Sequence, residues 1–180
     1  MTKKDAVIVY GAGISGRGAA QVLADRKQQV YLYNDMDCTL EPQLLQLLES
    51  VGGGLAIGQA AFEGLLDIAG VLVLSPGIAC DNANVLLAEQ RGLEVISEVE
   101  LGYRLYGGHI AAITGTNGKT TTTTIVGEML KRLPEPSAVG GNIGLALSKE
   151  VESLPQDGCS LPSFPAFSWK KSAASALTSQ

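Results

Sequence analysis

Histidine occurs once, at His109, so neither a His-rich metal site nor a Ser-His-Asp triad can be assembled from this chain. Aromatic residues are scarce (Tyr 5, Phe 3, Trp 1), which argues against stacking platforms for nucleobases. Positive charge is also short: 13 Lys and Arg against 18 Asp and Glu give a net charge of -5, with no basic footprint for nucleic acid. Cys38, Cys80 and Cys159 are an odd set without a C-x-x-C pair, which fits free thiols in a reducing compartment and not a disulfide framework or a zinc site. No apolar run approaches the ~18 residues that a membrane span needs. The apolar stretch Ala6–Tyr10 ends at Gly11 and is too short for a signal-peptide core. The expectation is a soluble, cytoplasmic protein without membrane insertion. Few residues are charged (17%) and many are apolar (46%), so most of the 180-residue chain has the composition to fold.

Glycine is abundant, with 22 residues gathered in short loops, as close approach of backbone to a ligand requires. Short runs rich in Val, Ile and Leu alternate with helical patterns. Strands are expected at Ala6–Tyr10, Val30–Asn34, Leu55–Ile57, Val71–Ser75, Leu93–Ile96 and Ile110–Thr114, without strict polar alternation, as in parallel sheets covered on both faces. Helices are expected at Ile14–Arg26, Pro42–Val51, Ala60–Asp67, Asn82–Arg91, Glu98–Tyr106 and Lys119–Arg132. Asp81 is the expected N-cap of the fourth, and Ser97 with Glu100 forms a capping box for the fifth. The fold class is therefore α/β: a Rossmann-like open, mostly parallel sheet domain over residues 1–107, then the start of a P-loop α/β domain over 108–157. Residues 158–180 differ in kind. They lack Asp and Glu, carry six Ser, two Pro and the single Trp, and are expected to be a disordered tail.

Four segments carry possible chemistry. Gly11-Ala-Gly13-Ile14-Ser15-Gly16 is a G-x-G-x-x-G between a strand and a helix, where Gly13 lets a phosphate near the backbone and the helix start favours an anion. Asn34-Asp35 stands near the acidic position expected about 20 residues on. The plainer alternative is a tight strand-to-helix turn with glycines for packing, and a solvated Asp35. Gly115-Thr116-Asn117-Gly118-Lys119-Thr120 follows a strand and opens a helix. Its backbone would hold phosphates, Lys119 would reach the terminal one and Thr120 would bind Mg²⁺. The usual spacing would put its first glycine where Ile113 stands, so the loop is a shortened variant. Ser75-Pro76-Gly77-Ile78 ends a strand, and alone reads as a Pro-Gly turn. Gly140-Gly-Asn142-Ile-Gly144 offers an amide to a polar ligand, or is a glycine loop. His109, Cys38 and Cys80 carry no expected chemistry.

In this order the four segments, with Ser97–Tyr106 (SEVELGYRLY), resemble the ATP-dependent Mur ligases that build the peptidoglycan stem peptide; the resemblance runs from about Val7 to Gly144. The family member that adds L-alanine has G-T-H-G-K-T where this chain has Asn117, and folate polyglutamate ligases share the phosphate loop without the N-terminal glycine motif. The resemblance therefore implies the member that joins D-glutamate to UDP-N-acetylmuramoyl-L-alanine, with ATP and Mg²⁺ as cofactors. It implies that Gly13, Ile14, Ser15, Gly16, Asn34, Asp35, Ser75, Pro76, Gly77 and Asn142 hold the UDP-substrate. Gly115 to Thr121 would hold ATP, with Lys119 and Thr120 catalytic and Thr120 at the metal. Two alternatives remain: a non-catalytic UDP-nucleotide-binding fragment, and an NAD(P)-dependent Rossmann oxidoreductase.

The same resemblance would continue with a strand bearing E-L-S-S-F-Q-L-E, whose first Glu binds Mg²⁺; the chain has Pro162-Ser-Phe-Pro-Ala-Phe-Ser-Trp-Lys-Lys171 instead. Back-translated with permitted codons and read from the third base, that string spells E-L-S-S-F-Q-L-E-E. The expectation is an out-of-frame tail and a chain that does not catalyse ligation alone.

Overall fold

The computed structural model describes residues 5–106, 109–110, 113, 117–132, 134, 137–141, 146–152 and 159–163. The chain divides into two compact units after Glu98. The sequence places its boundary one helix later, at Gly107-Gly108.

In the first unit, strands β1 (Ala6–Tyr10), β2 (Val30–Asn34), β3 (Gly54–Ile57), β4 (Ala69–Leu74) and β5 (Glu94–Ser97) form one sheet in the order β3-β2-β1-β4-β5. Every pairing is parallel, with Val9 opposite Leu32 on one side and Val73 on the other. Between the strands run α1 (Ile14–Asp25), α2 (Pro42–Ser50), α3 (Gln59–Leu65) and α4 (Ala83–Gln90). All five residues of β1 are buried, because the central strand is covered on both faces and has no polar side. Alternation sends Ala6, Ile8 and Tyr10 to one face, where they join Phe62, Leu66, Val85 and Ala88 in the core. Tyr10, Tyr33 and Phe62 stack there, with ring centroids 4.9 Å apart for the two tyrosines and 4.7 Å for Tyr33 and Phe62. Burial of each such side chain stabilises the fold by about 1.5–3 kcal/mol.

The order of the strands fixes where a ligand can sit. From β1 the chain moves outward through β2 and β3, then crosses back to β4 on the other side of β1. The connections after β1 and β4 therefore leave toward opposite edges of the sheet, and the carboxyl ends of these two strands are where open sheets of this kind form a ligand crevice. Pro42 starts α2 after Glu41, as its fixed backbone favours. The cap of α4 is Asn82, whose Oδ1 accepts from Asn84 N at 2.8 Å, and not Asp81 as expected; the helix starts one residue later, so the second acceptor-bearing residue meets the free N–H groups.

The second unit holds α5 (Glu98–Leu105, whose first residue closes the first unit), β6 (His109–Ile110), α6 (Lys119–Leu130), β7 (Ser137–Gly141), α7 (Leu147–Glu152) and β8 (Cys159–Ser163). Its three strands are parallel in the order β6-β8-β7. Cys159–Ser163 is thus a strand and not the beginning of a disordered tail. Pairing on both sides overrides a sequence without apolar period and with a proline that cannot donate to the ladder. Residues 164–180 lie outside the described residues. No described helix is long and apolar enough to cross a membrane.

Candidate functional site

β1 ends in Gly11-Ala12-Gly13, and α1 begins at Ile14. Gly11 has φ +103°, which a residue with a Cβ rarely adopts. Its N–H donates to Tyr33 O at 2.9 Å, and its carbonyl accepts from Ser75 Oγ at 3.0 Å. A Cβ on Gly16 would lie 1.8 Å from Gly11 O and 2.7 Å from Ser75 Oγ, so the helix start touches the loop without any space for a side chain. Ser75 is buried, and its N–H donates to Tyr10 O at 3.0 Å. Pro76 and Gly77 are exposed in the turn that follows, and Ile78 lies beside Gly11.

Above this floor the helix end is open. Gly13 is the exposed N-cap of α1, with no side-chain cap, no acidic residue in the first turn and nothing within 4 Å of where its Cβ would be. The first amides of a helix have no partner inside it, and they carry its positive end. Ile14 is exposed and Ser15 half-buried at that end. The arrangement fits a phosphate group at the crevice.

Two side chains tie the glycine loop to the segment after β2. Asn34 Oδ1 accepts from Ala12 N at 3.2 Å while its Nδ2 donates to Met36 O at 2.8 Å. Arg17 donates from Nε to Ala12 O at 2.8 Å, from one terminal nitrogen to both Glu41 carboxylate oxygens at 2.8 and 2.9 Å, and from the other to Thr39 O at 2.9 Å. The Glu41 carboxyl is held below its ordinary range, first by its own backbone N–H and then by Arg17. Asp35 is exposed but does not stand free. Its oxygens accept from the hydroxyls of Tyr10 (2.6 Å) and Tyr33 (2.8 Å) and from the Asn84 amide (3.2 Å). The structure therefore brings Gly13, Ile14, Ser15, Gly16, Asn34, Asp35 and Ser75 to one end of the sheet. Arg17, Tyr10, Tyr33 and Asn84 were not singled out from the sequence. Arg17 could have been, four residues after Gly13 on the same helix; the tyrosines read as ordinary strand residues.

In the second unit, Gly118 is the left-handed N-cap of α6, again without a side-chain cap. Lys119 is half-buried, and Asn117, Thr120 and Thr121 are exposed. Of the threonine run, Thr123 is buried and its hydroxyl has no hydrogen-bond partner among the described residues, while Thr124 Oγ1 donates to Thr120 O at 2.9 Å. An ammonium and open backbone amides suit phosphate oxygens. No group of three His, Cys, Asp or Glu that could hold a metal occurs among the described residues. The Thr120 hydroxyl is exposed at the helix start, and a hydroxyl suits a magnesium ion that keeps phosphates and water as its other ligands. Gly115, Thr116 and Asn142 lie outside the described residues.

The two units match two family models: the Mur ligase MurD-like N-terminal domain over residues 5–97 and the Mur ligase middle domain over residues 113–164. The UDP-N-acetylmuramoylalanine–D-glutamate ligase of Oceanobacillus iheyensis is 42% identical over 151 residues, 84% of this chain and 33% of its own length. The ligase of the same name from Caldanaerobacter subterraneus subsp. tengcongensis is 39% identical over 156 residues, 86% of this chain and 34% of its own. The chain thus spans about a third of the curated relatives it matches. Among solved structures, the UDP-N-acetylmuramate:L-alanyl-gamma-D-glutamyl-meso-diaminopimelate ligase from Neisseria meningitides has a similar fold, with TM-score 0.50 and 20% identity over 88% of this chain and 52% of that one. The N-terminal match spans the whole open parallel sheet, and the middle-domain match spans β7 and β8 of the second, starting after β6. This chain belongs to the Mur ligases.

Proposed function

We propose that the chain is the N-terminal part of an ATP-dependent amide ligase that joins D-glutamate to UDP-N-acetylmuramoyl-L-alanine in peptidoglycan precursor synthesis. One observation supports the reading: the start of α1, floored by Gly16 and Ser75, has no side-chain cap and suits the negative charge of a diphosphate. The high identity to ligases of that name supports the substrate assignment. Residues 1–107 bind the UDP-substrate, and residues 108–157 begin the ATP domain.

In the proposed reaction, a carboxylate oxygen of UDP-N-acetylmuramoyl-L-alanine attacks the γ-phosphorus of ATP, and the bond to the β-phosphate oxygen breaks to give ADP and an acyl phosphate. The amine of D-glutamate then attacks the acyl carbon, phosphate leaves, and the nitrogen loses a proton to give the amide. Gly13 to Gly16 bind the UDP diphosphate through backbone N–H groups. Gly118 and Lys119 neutralise ATP phosphate charge, and Thr120 offers a hydroxyl to the metal. The contribution is positioning and charge stabilisation. When bound, Mg²⁺ supplies charge neutralisation between phosphate oxygens. Residues 158–180, which include the Pro162–Lys171 string, are proposed to be out of frame, so that the chain alone does not catalyse ligation. Sequencing the encoding DNA tests this; a third-base frame that does not spell E-L-S-S-F-Q-L-E overturns it.

Titration calorimetry on the 180-residue chain tests the substrate reading. UDP-N-acetylmuramoyl-L-alanine is expected to bind more tightly than NAD. Tighter binding of NAD would favour the oxidoreductase reading.

A further inference from the structure

Two peptide groups join Gly11, Ala12 and Gly13, and different side chains hold them. The Gly11–Ala12 peptide is fixed on both edges: its carbonyl accepts from Ser75 Oγ at 3.0 Å and its N–H donates to Asn34 Oδ1 at 3.2 Å. The Ala12–Gly13 peptide is held through its carbonyl, which accepts from Arg17 Nε at 2.8 Å. A trans peptide is planar, and its C=O and N–H point opposite ways. By drawing the Ala12 carbonyl toward the body of α1, Arg17 thus turns the Gly13 N–H outward from the helix start. Gly13 is the exposed N-cap there and carries no side-chain cap.

The guanidinium is itself held in place. One terminal nitrogen donates to both Glu41 oxygens at 2.8 and 2.9 Å, and the other to Thr39 O at 2.9 Å. With the bond to Ala12 O, all three nitrogens of the planar fork are engaged, so a side chain with many rotamers is left with one geometry. The anchor is also fixed. Glu41 is the N-cap of α2, with Pro42 directly after it.

We propose that Arg17 is a positioning residue of the phosphate-binding loop: through Nε it sets the plane of the Ala12–Gly13 peptide, so that the Gly13 N–H faces the ligand before the ligand arrives. The inference rests on the phosphate role proposed for this loop. It adds that one amide of the site is aimed by a side chain four residues along the helix, acting through the backbone. The aim depends on the fork geometry of an arginine and not on its charge.

Two measurements on the 180-residue chain test this. The first needs no ligand: the residual dipolar coupling of the Gly13 N–H in isotope-labelled protein. Arg17→Ala and Arg17→Lys are both expected to change it. The second is the affinity for UDP-N-acetylmuramoyl-L-alanine by calorimetry. Both variants are expected to bind about tenfold more weakly, as the loss of one hydrogen bond to a charged group predicts, with melting temperatures near that of wild type. Arg17→Lys keeps the positive charge, but an ammonium does not reproduce the fork. Arg91→Ala is the control. It removes the same charge from a pair with Asp67, and leaves both readouts unchanged. An unchanged Gly13 coupling in Arg17→Ala overturns the proposal. So does wild-type affinity in Arg17→Lys, since charge alone would then suffice, and so does a fall in melting temperature large enough to account for the lost affinity. If the wild-type chain does not bind the UDP-substrate, the phosphate reading of the loop falls, while the Gly13 coupling still decides whether Arg17 sets the peptide.

Discussion

The two strand–glycine–helix turns end in glycine N-caps of different conformation: Gly13 is extended and Gly118 left-handed, both without a side-chain cap. At the start of α1, side chains from β2, β4 and the body of the helix hold the loop: Asn34 on Ala12 N, Ser75 on Gly11 O, and Arg17 on Ala12 O. At the start of α6, among the described residues, Thr122 N donates to Gly118 O and Thr124 Oγ1 to Thr120 O. A loop fixed by its surroundings has its ligand geometry before the ligand arrives, and binding then costs little ordering. The comparison teaches that a glycine motif is only half of such a site; the other half is polar side chains far away in sequence.

Four expected outcomes bear on this difference. Gly16→Ala should do the most damage: the new methyl would meet Gly11 O, which is backbone and cannot step aside. A loss of at least about 3 kcal/mol is expected by denaturant unfolding, with ligand binding abolished. Gly13→Ala, where nothing stands within 4 Å, should leave stability nearly unchanged. Equal losses would mean that the floor of the first loop is not what holds it. In a full-length version of the protein, Lys119→Ala should lower ATP turnover by about 10²–10³-fold. The first unit should retain its UDP affinity, and unchanged turnover would remove Lys119 from the mechanism.

Alkaline unfolding is the third outcome. Tyr10 and Tyr33 ionise later in the folded chain than their ordinary value of 10, so the unfolded state loses protons first as pH rises. The stability they contribute is fully present below pH 10 and is lost as pH rises from there through about 12 for Tyr10 and beyond for Tyr33. Melting curves between pH 9 and 12 should show a steeper fall for wild type than for a variant carrying both Tyr10→Phe and Tyr33→Phe. The smallest effect is expected from Arg17→Ala. Its pair with Glu41 is solvent-reached, so the loss of stability should stay below about 1 kcal/mol. UDP-substrate binding should weaken measurably by calorimetry, since the segment from Asp35 to Glu41 loses its tether.

Much of the first unit could be read directly. Ala6–Tyr10 and Val30–Asn34 are strands at the expected residues, because a continuous apolar run between turn signals has few other outcomes. The glycine spacing marked the site, and the Ser75 turn, which alone reads as a plain Pro-Gly turn, gained meaning once β4 was beside β1. Asp35 could be placed but not oriented, since its direction depends on Tyr10 and Asn84, 25 and 49 residues away, as well as on Tyr33 beside it. β8 was not legible at all: its sequence, with Pro162 opposite Gly140, carries no local preference, and it is a strand because two others pair with it.

That last strand has a consequence for synthesis on the ribosome. In the first sheet each strand finds a neighbour among those already made, so it can close once Ser97 has emerged. In the second, β6 and β7 have β8 between them, and the strand that joins them is translated last. Until Ser163 leaves the exit tunnel, β6 and β7 lack the strand that pairs with both. Unpaired strand edges are what holdase chaperones and aggregating neighbours bind. The vectorial order of synthesis thus makes the first unit an early folder and the second a late one.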